Sequence, residues 1–476
     1  MTISLNPSSL LSGQGIDVNS LVQQVISESS GQLTQWQNEQ SVLQTQASDL
    51  TAIQTDLSRL AASVQALSDP LGALNAISAT SSNSSILTAT AASSAASASH
   101  QIVVSNLATA GLVYSNAFAS GPDASILPQG ASSGEIDLQI GGSGGTTKQI
   151  QVTAGNNDTL NTLAGYINKQ SWGVAARVVT DATGSRLALT SSSTGTVSAL
   201  AITSNDTSLS FNSPTGGANA SLTIDGVPYS STSNTIAGAI SGITLNLTGA
   251  APGSTVQVTV GPDNARALNA INTFVSAYNQ VISDINQEFT VNAATNSQGP
   301  LGGDTALRSL QSSLLNDITY SVSGNSGLVN LAALGINMND DGTLTVGTTP
   351  DGQTTSQVLA SNPQAFLNFF QNASSTGFAN VFHTDLTSLT DSTTGVLTVD
   401  LAQNKVQQTN LSHTMSDFED RLATQQKQLT DQFNQINASL QSYPLLLQQV
   451  TETLATLDSG SGASSGPQHP TLTTGL

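Results

Sequence analysis

The chain has 476 residues and a formal net charge of −20, from 10 Lys and Arg against 30 Asp and Glu, with only 8% of its side chains charged. That balance repels nucleic acid and anionic membrane surfaces and leaves solubility to Ser, Thr, Asn and Gln. The absence of cysteine excludes disulfide frameworks, thiolate metal sites and cysteine nucleophiles.

The first element is predicted in "GIDVNSLVQQVISESS", from Gly15, where Ile16, Val18, Leu21, Val22, Val25 and Ile26 recur at helical spacing. From Leu43 the apolar positions run Leu43, Leu50, Leu57 and Val64, with Ile53, Leu60 and Leu67 interleaved. This alternation of three and four is a heptad seam, and it calls for a partner helix. Leu33 and Trp36 extend it backwards. Asp69-Pro70 closes the helix, since the residue before proline disfavours helical backbone.

Residues 79–99 are an Ala/Ser/Thr-rich stretch of low complexity, and from there to Pro262 the pattern is β. Short alternating runs such as "HQIVVSNLA", "GEIDLQI", "KQIQVTA", "SRLALTSS" and "STVQVTV" are separated by Gly, Asn and Asp-Gly turns. One helix interrupts them, "DTLNTLAGYINKQ", with Asp158 placed to cap it.

Helical spacing then returns, with Leu268, Ile271, Val275, Tyr278, Ile282, Ile285 and Phe289 on one face. A second helix runs from Asp304 to Ile318. A hairpin is expected in "LGINMNDDGTLTV", and a short helix in "SNPQAFLNFF" with Pro363 in its first turn. The C-terminal heptads run Met415, Leu422, Leu429, Ile436, Tyr443, Val450 and Leu457. Beside them lie Phe433, Leu440, Leu447 and Leu454, reached from Phe418 through a one-residue shift at Gln425-Gln426. Pro444 is expected to kink or divide this helix. About forty residues of helix would form a rod of roughly 65 Å.

No catalytic constellation assembles. Asn337, Asn339, Asp341 and Gly342 fall where a calcium loop places its first ligands, but the twelfth position is Thr348 instead of glutamate. An Asp-Gly turn explains them better. "GGSGGTTK" lacks phosphate-loop spacing, and "GASSG" at 462–466 lies in a Ser/Gly tail without strand or helix context. His100, His383, His413 and His469 are scattered. The reading is of a non-enzyme without cofactor or metal.

The order of these stretches resembles the flagellar filament cap family, also called flagellar hook-associated protein 2. "GIDVNSLVQQVI" is similar to that family's opening, and "ASHQIVVSNLATAGLVYSNAF" to the first strand of its head. "GITLNLTGAAPGSTVQVTVGPDNARALNAINTFVSAYNQVISDI" resembles the return to the stalk, continued by "LGGDTALRSLQ" and "LGINMNDDGTLTV". "FEDRLATQQKQLTDQFNQINASL" is similar to the closing helix. The low charge, Pro444 and the tail "GSGASSGPQHPTLTTGL" depart from the pattern.

The resemblance implies a multidomain α+β chain, with terminal coiled-coil helices forming a leg and stalk bundle and a β-rich head of two subdomains inserted between them. Residues 1–42 would be a leg segment disordered until assembly; 43–75 with 264–410 the helical stalk; and 76–125 with 222–263 the inner β subdomain. Residues 126–221 would be the outer β subdomain with one helix, 411–458 the C-terminal leg and 459–476 a flexible tail.

Ile16, Leu21, Val25, Leu43, Leu50 and Leu57 would bind partners from the first leg. Leu422, Leu429, Phe433, Ile436 and Leu440 would do so from the second. Leu268, Ile271, Val275, Tyr278 and Ile282 would pack subunit on subunit in a ring of about five copies.

The implied partners are further copies of the chain, flagellin, hook–filament junction proteins and a cytoplasmic export chaperone, with no nucleic acid and no membrane. A host glycan or mucin is a further candidate, with Trp172 and Tyr229 as stacking residues. The implied location is the flagellum tip, outside the cell, reached by type III export. No Lys or Arg precedes Arg59, so a basic-headed cleaved signal peptide is not expected. Another flagellar axial protein, or a surface adhesin, stays open as the alternative.

Overall fold

The computed structural model describes residues 17–293 and 296–459. It opens with α1 (Val18–Ser29) and α2 (Gly31–Ser68). Asp17 caps α1 by accepting from Ser20 N at 3.2 Å. α2 ends at Asp69, whose backbone turns extended ahead of Pro70.

Strands β1 (Ile77–Ser81), β2 (Leu87–Ala91), β3 (Ala98–Asn106), β4 (Ala110–Tyr114), β5 (Ser133–Ile140) and β6 (Thr146–Thr153) follow. Helix α3 (Leu160–Lys169) precedes β7 (Val174–Asp181), β8 (Gly184–Thr194) and β9 (Leu200–Asn205). The β region closes with β10 (Ala220–Ile224), β11 (Val227–Ser231), β12 (Thr235–Ile240), β13 (Ile243–Leu247) and β14 (Val256–Pro262). The cap of α3 is Thr159 and not Asp158. Thr159 and Thr162 form a reciprocal capping box, while Asp158 accepts from Gly155 N and so closes the preceding turn.

These strands enclose two separate cores. A five-stranded sheet, β1-β14-β3-β10-β11, and a three-stranded sheet, β12-β13-β2, bury Leu87, Ile102, Val104, Leu222, Leu245 and Val258 between them. The sheets β4-β8-β7 and β6-β5-β9 pack with α3 around Ile136, Leu138, Ile150, Leu163, Leu187 and Leu189. Val113 of β4 belongs to this second core, so the chain enters the outer unit before Ala110 instead of after 125.

The two β units meet at Gly195, in left-handed backbone at φ 88°. A Cβ there would come within 2.7 Å of Thr232, so both the backbone conformation and the close approach require glycine.

The chain returns through α4 (Asn264–Phe289), α5 (Thr305–Ile318), the hairpin β15 (Ile336–Met338) and β16 (Leu344–Val346), α6 (Thr355–Ser361) and α7 (Pro363–Phe370). It ends with α8 (Phe378–Leu389) and α9 (Val396–Ser459). These helices and α2 share one core, in which Phe274, Phe366, Phe369, Phe370, Phe378 and Phe382 are all buried. Phe369 and Phe378 stack at 5.5 Å, and Phe274 meets Phe378 edge-on at 5.8 Å.

Helix α9 runs unbroken for 64 residues, about 96 Å, and passes residue 444 without dividing. The backbone bond that a proline removes does not end the helix there, because the turns on either side keep theirs.

Candidate functional site

The site is the pair of terminal helices. α2 and α9 run antiparallel, as four contacts in opposite order show. Gln54 Nε2 donates to Thr398 Oγ1 at 3.0 Å, Asn404 Nδ2 to Gln46 Oε1 at 3.3 Å and Gln408 Nε2 to the Leu43 carbonyl at 3.2 Å. Further out, Trp36 meets Phe418 edge-on at 5.3 Å, with the Arg421 guanidinium over the same Phe418 ring. α1 continues the pairing along α9 and buries Val18 and Val22. The seam is rich in glutamine and asparagine, so side-chain hydrogen bonds fix its register where apolar contacts are thin.

The predicted leg residues separate into three groups. Leu50 and Leu57 are 1% and 0% exposed inside the bundle core, so they offer no surface to a second chain while the bundle is folded. Leu21, Val25, Leu43, Leu429, Phe433 and Leu440 are half-buried along the leg, and Leu422 is buried. Ile436 is 48% exposed. Ile16 and the tail from residue 460 onward lie outside the described residues.

The stalk residues need a similar correction. Ile271, Val275, Tyr278 and Ile282 are buried in the chain's own core, and only Leu268 keeps part of its surface. An apolar helix face serves equally well for an internal neighbour or for a second subunit, and here the neighbours are internal. Past the α1 contact, α9 carries exposed Tyr443, Leu445, Leu446, Leu447, Val450 and Leu454, each at least 50% accessible. Such a run on one long helix is the kind of surface that marks an interaction site.

Elsewhere the polar candidates are committed to structure. The loop holding Asn337, Asn339 and Asp341 is the β15–β16 hairpin. Asp341 Oδ1 accepts from Thr343 N at 3.0 Å, and Asn337 Nδ2 donates to the Thr348 carbonyl at 3.0 Å. Trp172 is half-buried against the outer β core, edge-on to Tyr166 at 6.0 Å, while Tyr229 on the edge strand β11 is 37% exposed. Among the described residues no three His, Cys, Asp or Glu gather as metal ligands, and no helix is long and apolar enough to cross a membrane.

Paired terminal helices, with two β units inserted between them, define a multidomain α+β protein built on a helical stalk. Residues 14–111 match the flagellar hook-associated protein 2 N-terminus, 217–444 its C-terminus and 137–193 the flagellin hook IN motif. The chain is 29% identical over 399 residues to the B-type flagellar hook-associated protein 2 of Pseudomonas aeruginosa, covering 77% of this chain and 80% of that one. A shorter match, 34% identical over 131 residues, is to the flagellar hook-associated protein 2 of Salmonella typhimurium, covering 26% of this chain and 27% of that one.

The fold is similar to the D1-D2-D3 domains of the flagellar cap protein FliD from Escherichia coli. There the TM-score is 0.55 and the identity 25%, over 75% of this chain and 99% of that one. The chain belongs to the flagellar hook-associated protein 2 family, a structural family of flagellar caps.

Proposed function

We propose that this protein caps the distal end of the flagellar filament as a ring of its own copies, retains exported flagellin there and promotes its folding and insertion. The observation that carries this reading is the distal part of α9, where Tyr443, Leu445, Leu446, Leu447, Val450 and Leu454 are exposed among the described residues. A long helix with such an end is suited to a partner helix of similar character, supplied by flagellin or by neighbouring copies. The β units, joined to the bundle through residues 69–76 on one side and Asp263 on the other, would form the outer plate. The location is accordingly outside the cell, at the filament tip.

Deleting residues 1–42 tests the leg role. The deletion removes α1 and Trp36 but leaves Leu50 to Leu67 in the bundle core. The expected result is a protein whose β units melt as before and which no longer supports filament growth. Filaments of normal number and length would contradict the assignment.

A further inference from the structure

The helices of the bundle meet one another through pairs of carboxylic acids. Asp317 on α5 lies against Asp385 on α8, and Asp400 on α9 lies against Asp304, the cap of α5. Asp284 on α4 makes the same contact with Asp56 on α2, and further along that seam Glu288 faces Asp49. Among the described residues, the one ion pair to any of these acids is Arg59 Nη1 to Asp56 Oδ1, at 2.6 Å.

One further cation is close by, the Arg308 guanidinium, which lies over the Phe289 ring and donates to the Gly302 carbonyl. Tyr278 of α4 is fully buried beside Asp317, and its Oη has no hydrogen-bond partner. No donor reaches Asp317 Oδ2 or Asp400 Oδ2, both of which are enclosed. Gln280 Nε2 donates to Asp284 Oδ1 at 2.9 Å, Leu301 N to Glu288 Oε2 at 2.8 Å and Leu307 N to Asp304 Oδ1 at 2.9 Å. The recess that holds Asp304 and Asp400 is otherwise lined by neutral side chains, Thr305, Thr394 and Gln403 among them.

Two carboxyl groups in contact and partly withdrawn from water cannot both ionise cheaply, so Asp317 and Asp400 hold a proton more tightly than a solvated carboxyl does. We propose that the helical bundle is a pH-responsive clamp, in which shared protons tie α5 to α8 and α5 to α9 at mildly acidic pH, and their loss loosens the helices as the pH passes neutrality.

Burial, with Asp385 beside it, pushes Asp317 up to about 7, and burial with Asp304 pushes Asp400 up to about 6. Burial also raises Asp284, Glu288 and Asp49. A carboxyl raised in the folded state binds its proton more tightly there than in the unfolded chain. Its contribution to stability is therefore full below the unfolded carboxylate range and lost as the pH rises through about 6 to 7. This proton dependence is a property of the bundle and holds whichever partner the chain meets.

The test is thermal unfolding of the full chain by far-UV circular dichroism at about pH 5.5 and about pH 8. The helical transition is expected to fall by roughly 5 °C between the two. Asp317→Asn with Asp400→Asn supplies each pair with an amide donor at every pH, so the variant is expected to melt higher than wild type at the upper pH and to lose most of the slope. Asp340→Asn with Asp351→Asn removes the same charge from exposed turns and is expected to keep it. Asp385→Asn reaches the first pair from its other side and is expected to reduce the slope in part. An unchanged slope in the paired variants would overturn the proposal, as would equal flattening in the exposed control. Failure of both paired variants to fold at the lower pH would also overturn it, because there an amide can stand in for the shared proton.

Discussion

Replacing Phe378 by alanine is expected to destabilise the helical bundle by about 4 kcal/mol. The side chain is fully buried and is the hub of the aromatic core, with ring centroids of Phe274, Phe369, Phe370 and Phe382 all within 6.0 Å. Alanine leaves a cavity that four rigid rings cannot collapse to fill, so the full cavity penalty applies on top of the lost burial. Phe378→Leu keeps most of the volume and is expected to cost only about 1 kcal/mol. Chemical denaturation followed by far-UV circular dichroism measures both. The β units have cores of their own. The emission of Trp172, read in a Trp36→Phe background, should therefore keep its midpoint while the helical signal shifts.

The second large effect is on function and leaves the fold alone. Leu447 and Val450 are 65% and 50% exposed on the distal α9, so Leu447→Asp with Val450→Asp is expected to change stability by less than about 0.5 kcal/mol. The same two carboxylates on an apolar docking surface would have to lose water against a partner helix, at several kcal/mol each. The variant should therefore melt like wild type and fail to restore filaments when it replaces the native protein. Full restoration would place the partner contact elsewhere.

The helical ends and the β middle are legible in the sequence because they differ in period. The spacing of Leu268, Ile271, Val275, Tyr278 and Ile282 matches α4, and "KQIQVTA" and "SRLALTSS" fall on β6 and β8. What the spacing does not carry is the identity of the neighbour. Leu50 and Leu57 follow heptads, yet a seam that packs within one chain obeys the same three-four rule as a coiled coil between chains.

Helix α8 was missed although Phe378, Phe382 and Leu386 recur every fourth residue. Its signal lies in a short segment between a Ser/Gly turn and the start of α9. The acid pairs were invisible for another reason. Asp317 and Asp385 are far apart in sequence and neither has an unusual local setting, so only the packing of α5 on α8 brings them together. The exposed end of α9 could be read only in part: its apolar residues are plain in the sequence, whereas their exposure among the described residues is a matter of packing.

The most direct test of the cap role is flagellin partitioning in a strain that lacks this gene, with filaments counted by electron microscopy and monomer assayed in the medium. The account predicts bare hooks and abundant free flagellin, with filaments restored when the purified protein is added. Filaments of normal number and length in that strain would contradict it.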